Sequence, residues 1–120
     1  MQQYFDAWRS NDPGDVAALF TMDAVYAVGP FAGLWRGRDE IVERWTAGDG
    51  TLLEDNHEVL ATDGDTAVVH WNVVLQLTHR RLEEDGLLVL VFAADGRCRE
   101  HREWFVEREP PASRRPRRVD

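Results

Sequence analysis

ADGRCREHREWFVE, Ala94 to Glu107, is the stretch on which the reading of this chain turns. It opens on the turn dipeptide Asp95-Gly96 and continues as an extended segment. Period-two alternation places Arg97, Arg99, His101, Glu103 and Phe105 on one face and Cys98, Glu100, Arg102, Trp104 and Val106 on the other. A strand with an imidazole and a carboxylate on one side either faces water or lines a polar cavity. Which of the two holds decides whether the protein has a site.

Working back, Leu87 to Phe92 (LLVLVF) is apolar on both faces, so that strand calls for cover on both sides. Thr78 to Gly86 (THRRLEEDG) reads as a charged, glycine-ended connection. His57–Thr62 and Thr66–Leu77 are joined by Asp63-Gly64, a tight-hairpin signal. The second of these strands carries Val69, Trp71, Val73, Leu75 and Leu77 on one face and His70, Asn72, Val74 and Gln76 on the other.

The first third of the chain has a different period. Tyr4, Phe5 and Trp8 share a helix face. Asp12-Pro13 ends that helix and starts another with an N-cap and a proline at N1, and Val16, Leu19 and Phe20 form its stripe. Asp23–Val28 is a short strand, and Phe31–Gly37 a loop holding two aromatics. A third helix spans about Arg38 to Ala47, with Ile41, Val42 and Trp45 as its buried edge and Glu40 spaced to pair with Arg44. The sum is an α+β arrangement in which three N-terminal helices close one side of a curved antiparallel sheet.

Of the 120 residues, 43% are apolar, with five Trp and five Phe, as in a folded globule. All fourteen basic residues are Arg, which excludes Schiff-base lysine chemistry. The net charge of -8 is uneven: residues 1–109 hold ten Arg against twenty-one carboxylates, while 110–120 is a basic segment that reads as a disordered tail. An acidic body argues against a nucleic-acid partner. A single Cys98 and the lack of a signal-peptide or membrane-span pattern point to a cytoplasmic protein. The histidines 57, 70, 79 and 101 lack metal-ligand spacing, so neither metal nor cofactor is expected.

YFDAWRSNDPGDVAALFTMDAVYAVGPFAGLWRGRDEIVERW followed by hairpins and DGRCREHREWF resembles the nuclear-transport-factor-2-like superfamily, in particular its SnoaL-like bacterial branch, over residues 2–107. The resemblance implies one SnoaL-like (cystatin-like) domain over residues 1–109. Its fold is a cone, with a pocket opening at one end and a homodimer through the convex face of the sheet. It also implies that His70 and Asn72 point into the cone while the Trp71 face meets a twin subunit; plain alternation would turn the Trp71 face to the core. The family's limonene-type epoxide hydrolases use five residues of which this chain matches an acid at Glu103 and a tyrosine at Tyr26; Val28, His70 and Asn72 depart from the pattern. Ketosteroid isomerase-like chemistry needs a carboxylate in the loop 29–37, which has none.

The SnoaL-type cyclases and related dehydratases use a His with an acid in one cavity, and the resemblance lays that pair on His70 and Glu103, with Tyr26 as donor, against the reading in which these merely satisfy one another. Asn72, Trp8, Trp35, Trp45 and His101 are the candidate ligand contacts. His101 equally reads as a solvated strand histidine, and the tryptophans as core. Three functions follow: a pocket binding a small, largely apolar molecule; a cofactor-free isomerase, cyclase or dehydratase; or a dimerisation module with a filled pocket.

Overall fold

The computed structural model describes residues 1–111; the expected disordered tail lies, from residue 112 on, outside the described residues. Helix α1 (Gln2–Ser10) buries Tyr4, Phe5 and Ala7 and stops at Asn11, which takes the left-handed conformation. Helix α2 (Pro13–Ala17) is a single capped turn, the Asp12 carboxylate accepting from the amides of Gly14 and Asp15. It is shorter than its stripe suggests, because Phe20 already belongs to strand β1 (Phe20–Ala27). Strand β2 (Leu34–Arg36) forms within the stretch expected to be a loop, pairing Tyr26 with Trp35. Helix α3 (Arg38–Thr46) follows at once; Glu40 caps back onto the Arg36 amide, and the expected Glu40–Arg44 pair is replaced.

Four long strands follow among the described residues: β3 (Thr51–Asp63), β4 (Thr66–Gln76), β5 (Arg81–Phe92) and β6 (Cys98–Arg108). They form one six-stranded sheet in the order β2-β1-β6-β5-β4-β3. Only the β1–β6 pairing is parallel, and it brings Tyr26 beside His101. The helices pack against one face, where Phe5, Val16, Phe20 and Ile41 meet Val69, Trp71, Val73, Leu88 and Leu90 in a single core.

Three expectations are corrected here. The Trp71 face of β4 belongs to the core of the protomer itself, not to a partner subunit. Turning it outward would expose Val69, Trp71 and Val73, all at most 2% exposed, at about 1.5–3 kcal/mol per side chain. His70 and Asn72 consequently sit on the outer face. Second, LEEDG is strand: only residues 77–80 turn, closed by the Leu77 amide donating to the Arg80 carbonyl, and β5 runs straight through Gly86. Third, Cys98 falls on the same side as His101 and Glu103. Arg99 is a bulge, since Glu100 pairs with Val91 but Cys98 with Phe92, and one extra residue reverses the alternation.

At Gly86 the sheet leaves no room for a side chain. An added Cβ would lie 2.2 Å from the Trp104 carbonyl oxygen, so β5 and β6 come together there as only glycine permits.

Candidate functional site

The concave face leaves a cavity of about 350 Å³ between the sheet and helices α1 and α3. Tyr4 and Trp8 from α1, Trp45 and Arg44 from α3, Tyr26 and Trp35 from the β1–β2 ribbon, and Trp71, Leu75, Leu82, Glu84 and Glu103 from the long strands wall it. Period two on β5 and β6 puts Leu82, Glu84, Leu88, Glu103 and Phe105 on this side.

Its polar centre is Glu103. The Tyr26 hydroxyl donates to Glu103 Oε1 at 2.7 Å, and His101 Nδ1 lies 3.8 Å from the same oxygen. Burial pushes the Glu103 carboxyl up to about 7, the tyrosine hydrogen bond opposing the shift only in part. His101 is fully enclosed, and burial depresses it to about 3, so it is neutral and supplies no charge to hold a carboxylate. Its Nε2 shares a 3.0 Å hydrogen bond with the Tyr4 hydroxyl. Burial likewise keeps both phenols well above their ordinary range, hence protonated.

These groups are fixed by ring stacking. Trp35 lies on Tyr26 at 4.6 Å and Tyr26 on His101 at 3.8 Å, both nearly parallel, and the Tyr4 ring is nearly parallel to that of His101 at 5.5 Å. Trp45 meets Tyr4 and Tyr26 edge-on. The result is a carboxyl of near-neutral affinity for protons, with a tyrosine donor, on an aromatic wall. Such a group can give or accept a proton at physiological pH.

Of the residues read from the sequence, Glu103, Tyr26, Trp8, Trp35 and Trp45 are brought together in this cavity. His101 stands behind it, buried rather than solvated. His70 and Asn72 are not part of it. On the outer face His70 Nε2 lies 3.1 Å from Asp85 Oδ1, and the Asn72 amide donates to Glu83 and Asp85. The expected Glu103–His70 pair is thus separated by the thickness of the sheet, and the inward positions of β4 are Trp71 and Val73.

Sequence reasoning missed Tyr4, Arg44, Trp71 and Glu84. Glu84 had a signal: Leu82, Glu84 and Gly86 continue the period of Leu88 and Leu90 backward through the charged run. Among the described residues no group of three or more His, Cys, Asp or Glu is placed to hold a metal ion, and burial lifts the Cys98 thiol to about 12. No described helix is long and apolar enough to cross a membrane.

Solved structures similar to this one share its fold. An epoxide hydrolase of the limonene-epoxide-hydrolase-like kind from M. tuberculosis superposes with a TM-score of 0.74 at 20% identity, covering 88% of this chain and 78% of that one. SalBIII, an epoxide hydrolase/cyclase-like enzyme in pyran ring formation in the polyether salinomycin, gives 0.71 at 15% identity over 88% and 86%. A hypothetical protein with a ketosteroid isomerase-like fold from Catenulispora acidiphila, in complex with trimethylamine, gives 0.71 at 13% identity over 86% and 82%. No curated protein matches the chain. The SnoaL-like domain family matches residues 1–101, and the curved six-stranded sheet closed by helices is the nuclear-transport-factor-2-like fold; the chain belongs to the SnoaL-like domain family.

Proposed function

We propose that the cone binds a small, largely apolar molecule. Glu103 exchanges a proton with it, in a cofactor-free isomerisation, cyclisation or dehydration. The observation that carries this reading is the buried Tyr26–Glu103 hydrogen bond at 2.7 Å on the wall of an aromatic cavity of about 350 Å³. A carboxyl retained in such surroundings costs stability, and groups shifted in this way inside a cleft cluster at functional sites. The open volume weighs against a filled pocket. His70, held by Asp85 outside, has no part; Tyr26 takes the role of donor and His101 packs behind it. Ring closure and epoxide opening, the reactions named for two of the similar structures, are acid–base steps, and the fold alone links them to this chain.

The test is a thermal-shift screen of small apolar compounds, each hit then incubated in deuterated water and followed by NMR and mass spectrometry. Wild type is expected to isomerise, cyclise or dehydrate at least one hit, or to exchange its carbon-bound protons. Glu103→Gln keeps an acceptor for Tyr26, so it should retain the shift while losing turnover by about 100-fold or more. Turnover unchanged in Glu103→Gln would end the proposal.

The protein is further read as a cytoplasmic homodimer joined through the outer face. Supporting this are the cross-strand neighbours Leu87 and Trp104, about 40% exposed, and Val106 beyond them. Sedimentation should give the mass of two chains, and Leu87→Asp with Trp104→Asp that of one. A wild-type monomer at micromolar concentration contradicts it.

A further inference from the structure

Trp71 poses a question that Glu103 does not answer. Its side chain lines the cavity and is 2% exposed, yet the indole Nε1 finds no hydrogen-bond acceptor among the described residues. A buried indole N–H is ordinarily paired, and one left without a partner beside a cavity looks for an acceptor from the cavity's occupant. The ring has little freedom to turn away, held between Trp8 at 5.5 Å and Phe105 at 5.8 Å.

Next to it stands a second carboxyl. Trp71 pairs with Gly86 and Val73 with Glu84, so Trp71 and Glu84 are diagonal neighbours on the concave face. Glu84 is 9% exposed, lines the same cavity, and is hydrogen-bonded to Glu107, its cross-strand partner. A hydrogen bond between two carboxyls needs a proton on one of them, here on Glu84. Burial and that neighbour lift Glu84 to about 8. Glu84 lies four residues along β5 from Leu88, the partner of Glu103, which sets the two carboxyl-bearing Cα atoms about 13 Å apart. Both carboxyls thus line the one cavity, at different heights along its long-strand wall.

We propose that the Trp71–Glu84 end is a second binding subsite, which takes an acceptor oxygen (carbonyl, ether or hydroxyl) of the molecule whose other end meets Glu103. This deepens the function proposed above and rests on its claim that the cavity is a ligand site. The indole N–H supplies the direct hydrogen bond, and Glu84 with Glu107 the acid beside it. Arg44 and Asp49 both line the cavity, so the choice between an acceptor oxygen and a cation falls to the indole N–H, whose positive end repels a cation.

Three probes with one carbon skeleton separate the possibilities: menthone, which has an acceptor oxygen, menthane, which has none, and menthylamine, which is a cation. Titration calorimetry on the wild-type protein should give menthone about fivefold to tenfold tighter than menthane. Trp71→Phe should bring that ratio close to one, and a circular dichroism spectrum like that of the wild type shows that the variant folds. A second measurement needs no variant. Of the five tryptophan indole N–H signals, one should move downfield in the NMR spectrum with menthone and stay in place with menthane. Equal affinities for menthone and menthane, tightest binding of menthylamine, or a preference that survives in Trp71→Phe would each overturn the subsite. Equal, measurable binding leaves the cavity a ligand site and sinks only this inference. If none of the probes binds and the wider apolar screen is also silent, both readings fall together.

Discussion

Replacing Gly86 with alanine is expected to destabilise the protein by about 3 kcal/mol or more, a large share of the stability of a domain this size. The new Cβ would lie 2.2 Å from the Trp104 carbonyl oxygen, 2.7 Å from Phe105 Cβ and 3.0 Å from Phe105 Cα. Two of those three atoms are backbone, and backbone in mid-sheet has nowhere to move. Residues on either side remain in register, Leu87 with Trp104 and Asp85 with Val106, while Phe105 is packed against Trp71. Gly86 also lies between Glu84 and Leu88 on β5, so relief of the clash would shift the acid-bearing segments relative to each other. Gly33→Ala is the control: nothing lies within 4 Å of its added Cβ, and it should change stability by less than about 0.5 kcal/mol. Urea denaturation of the two variants checks the contrast. An unchanged midpoint for Gly86→Ala would mean that the close approach of β5 and β6 is not a constraint in solution.

The same glycine shows where the sequence could be read and where it could not. Asp12-Pro13, Asp63-Gly64 and Asp95-Gly96 act locally, through a cap and two positive-φ glycines, and each appears where its dipeptide stands. Period two in β4 correctly separates the Trp71 face from the His70 face. What it cannot say is which face a helix covers, and there the family resemblance pointed His70 inward against the plain apolar count. LEEDG was opaque for a related reason. Its charges are distributed over both faces of a strand: Glu83 meets Asn72 and Arg108, Asp85 meets His70, and Glu84 turns into the cavity. Those partners come from elsewhere in the chain, so the run looks like a solvated connection until the sheet is assembled. The parity of His101 with Glu103 was legible too, but its burial was not, because its cover includes Tyr4, 97 residues away. Arg99 gave no warning of a bulge, and the bulge alone moves Cys98 into the core.

The second large effect concerns pH. Thermal stability is expected to peak near pH 5 and to fall by several degrees in Tm between pH 5 and pH 8, the reverse of a domain whose carboxylates are held charged. Glu103 and Glu84 are raised, to about 7 and about 8, so between their ordinary range and those values the folded state holds protons that the unfolded chain has released. Stability from that source is full at low pH and is lost as pH climbs through 7 and 8. His101 works in the opposite sense. It is depressed to about 3, so its contribution is complete above its ordinary value and fades as pH falls toward 3. Across the overlap two carboxyls outweigh one imidazole, which places the maximum on the acid side of neutrality. Asp85 and Asp95, both held below the usual carboxylate range by hydrogen bonds, sharpen the loss only at still lower pH. Glu103→Gln mimics the protonated acid at all pH values. It should flatten the descending limb and, at pH 8, exceed wild type by on the order of 2 kcal/mol. Combined with Glu84→Gln, only the His101 limb should remain, and stability should rise with pH to a plateau. Calorimetric Tm values from pH 4 to 9 decide the matter; a wild-type curve that rises from pH 5 to 8, or variants with the wild-type slope, would show that these carboxyls are hydrated in the folded state. The same titration should surface in the kinetics. If Glu103 acts as the base, kcat/KM of any substrate found rises through about pH 7, and if it acts as the acid it falls through the same value, so one group's proton affinity is read twice by unrelated measurements.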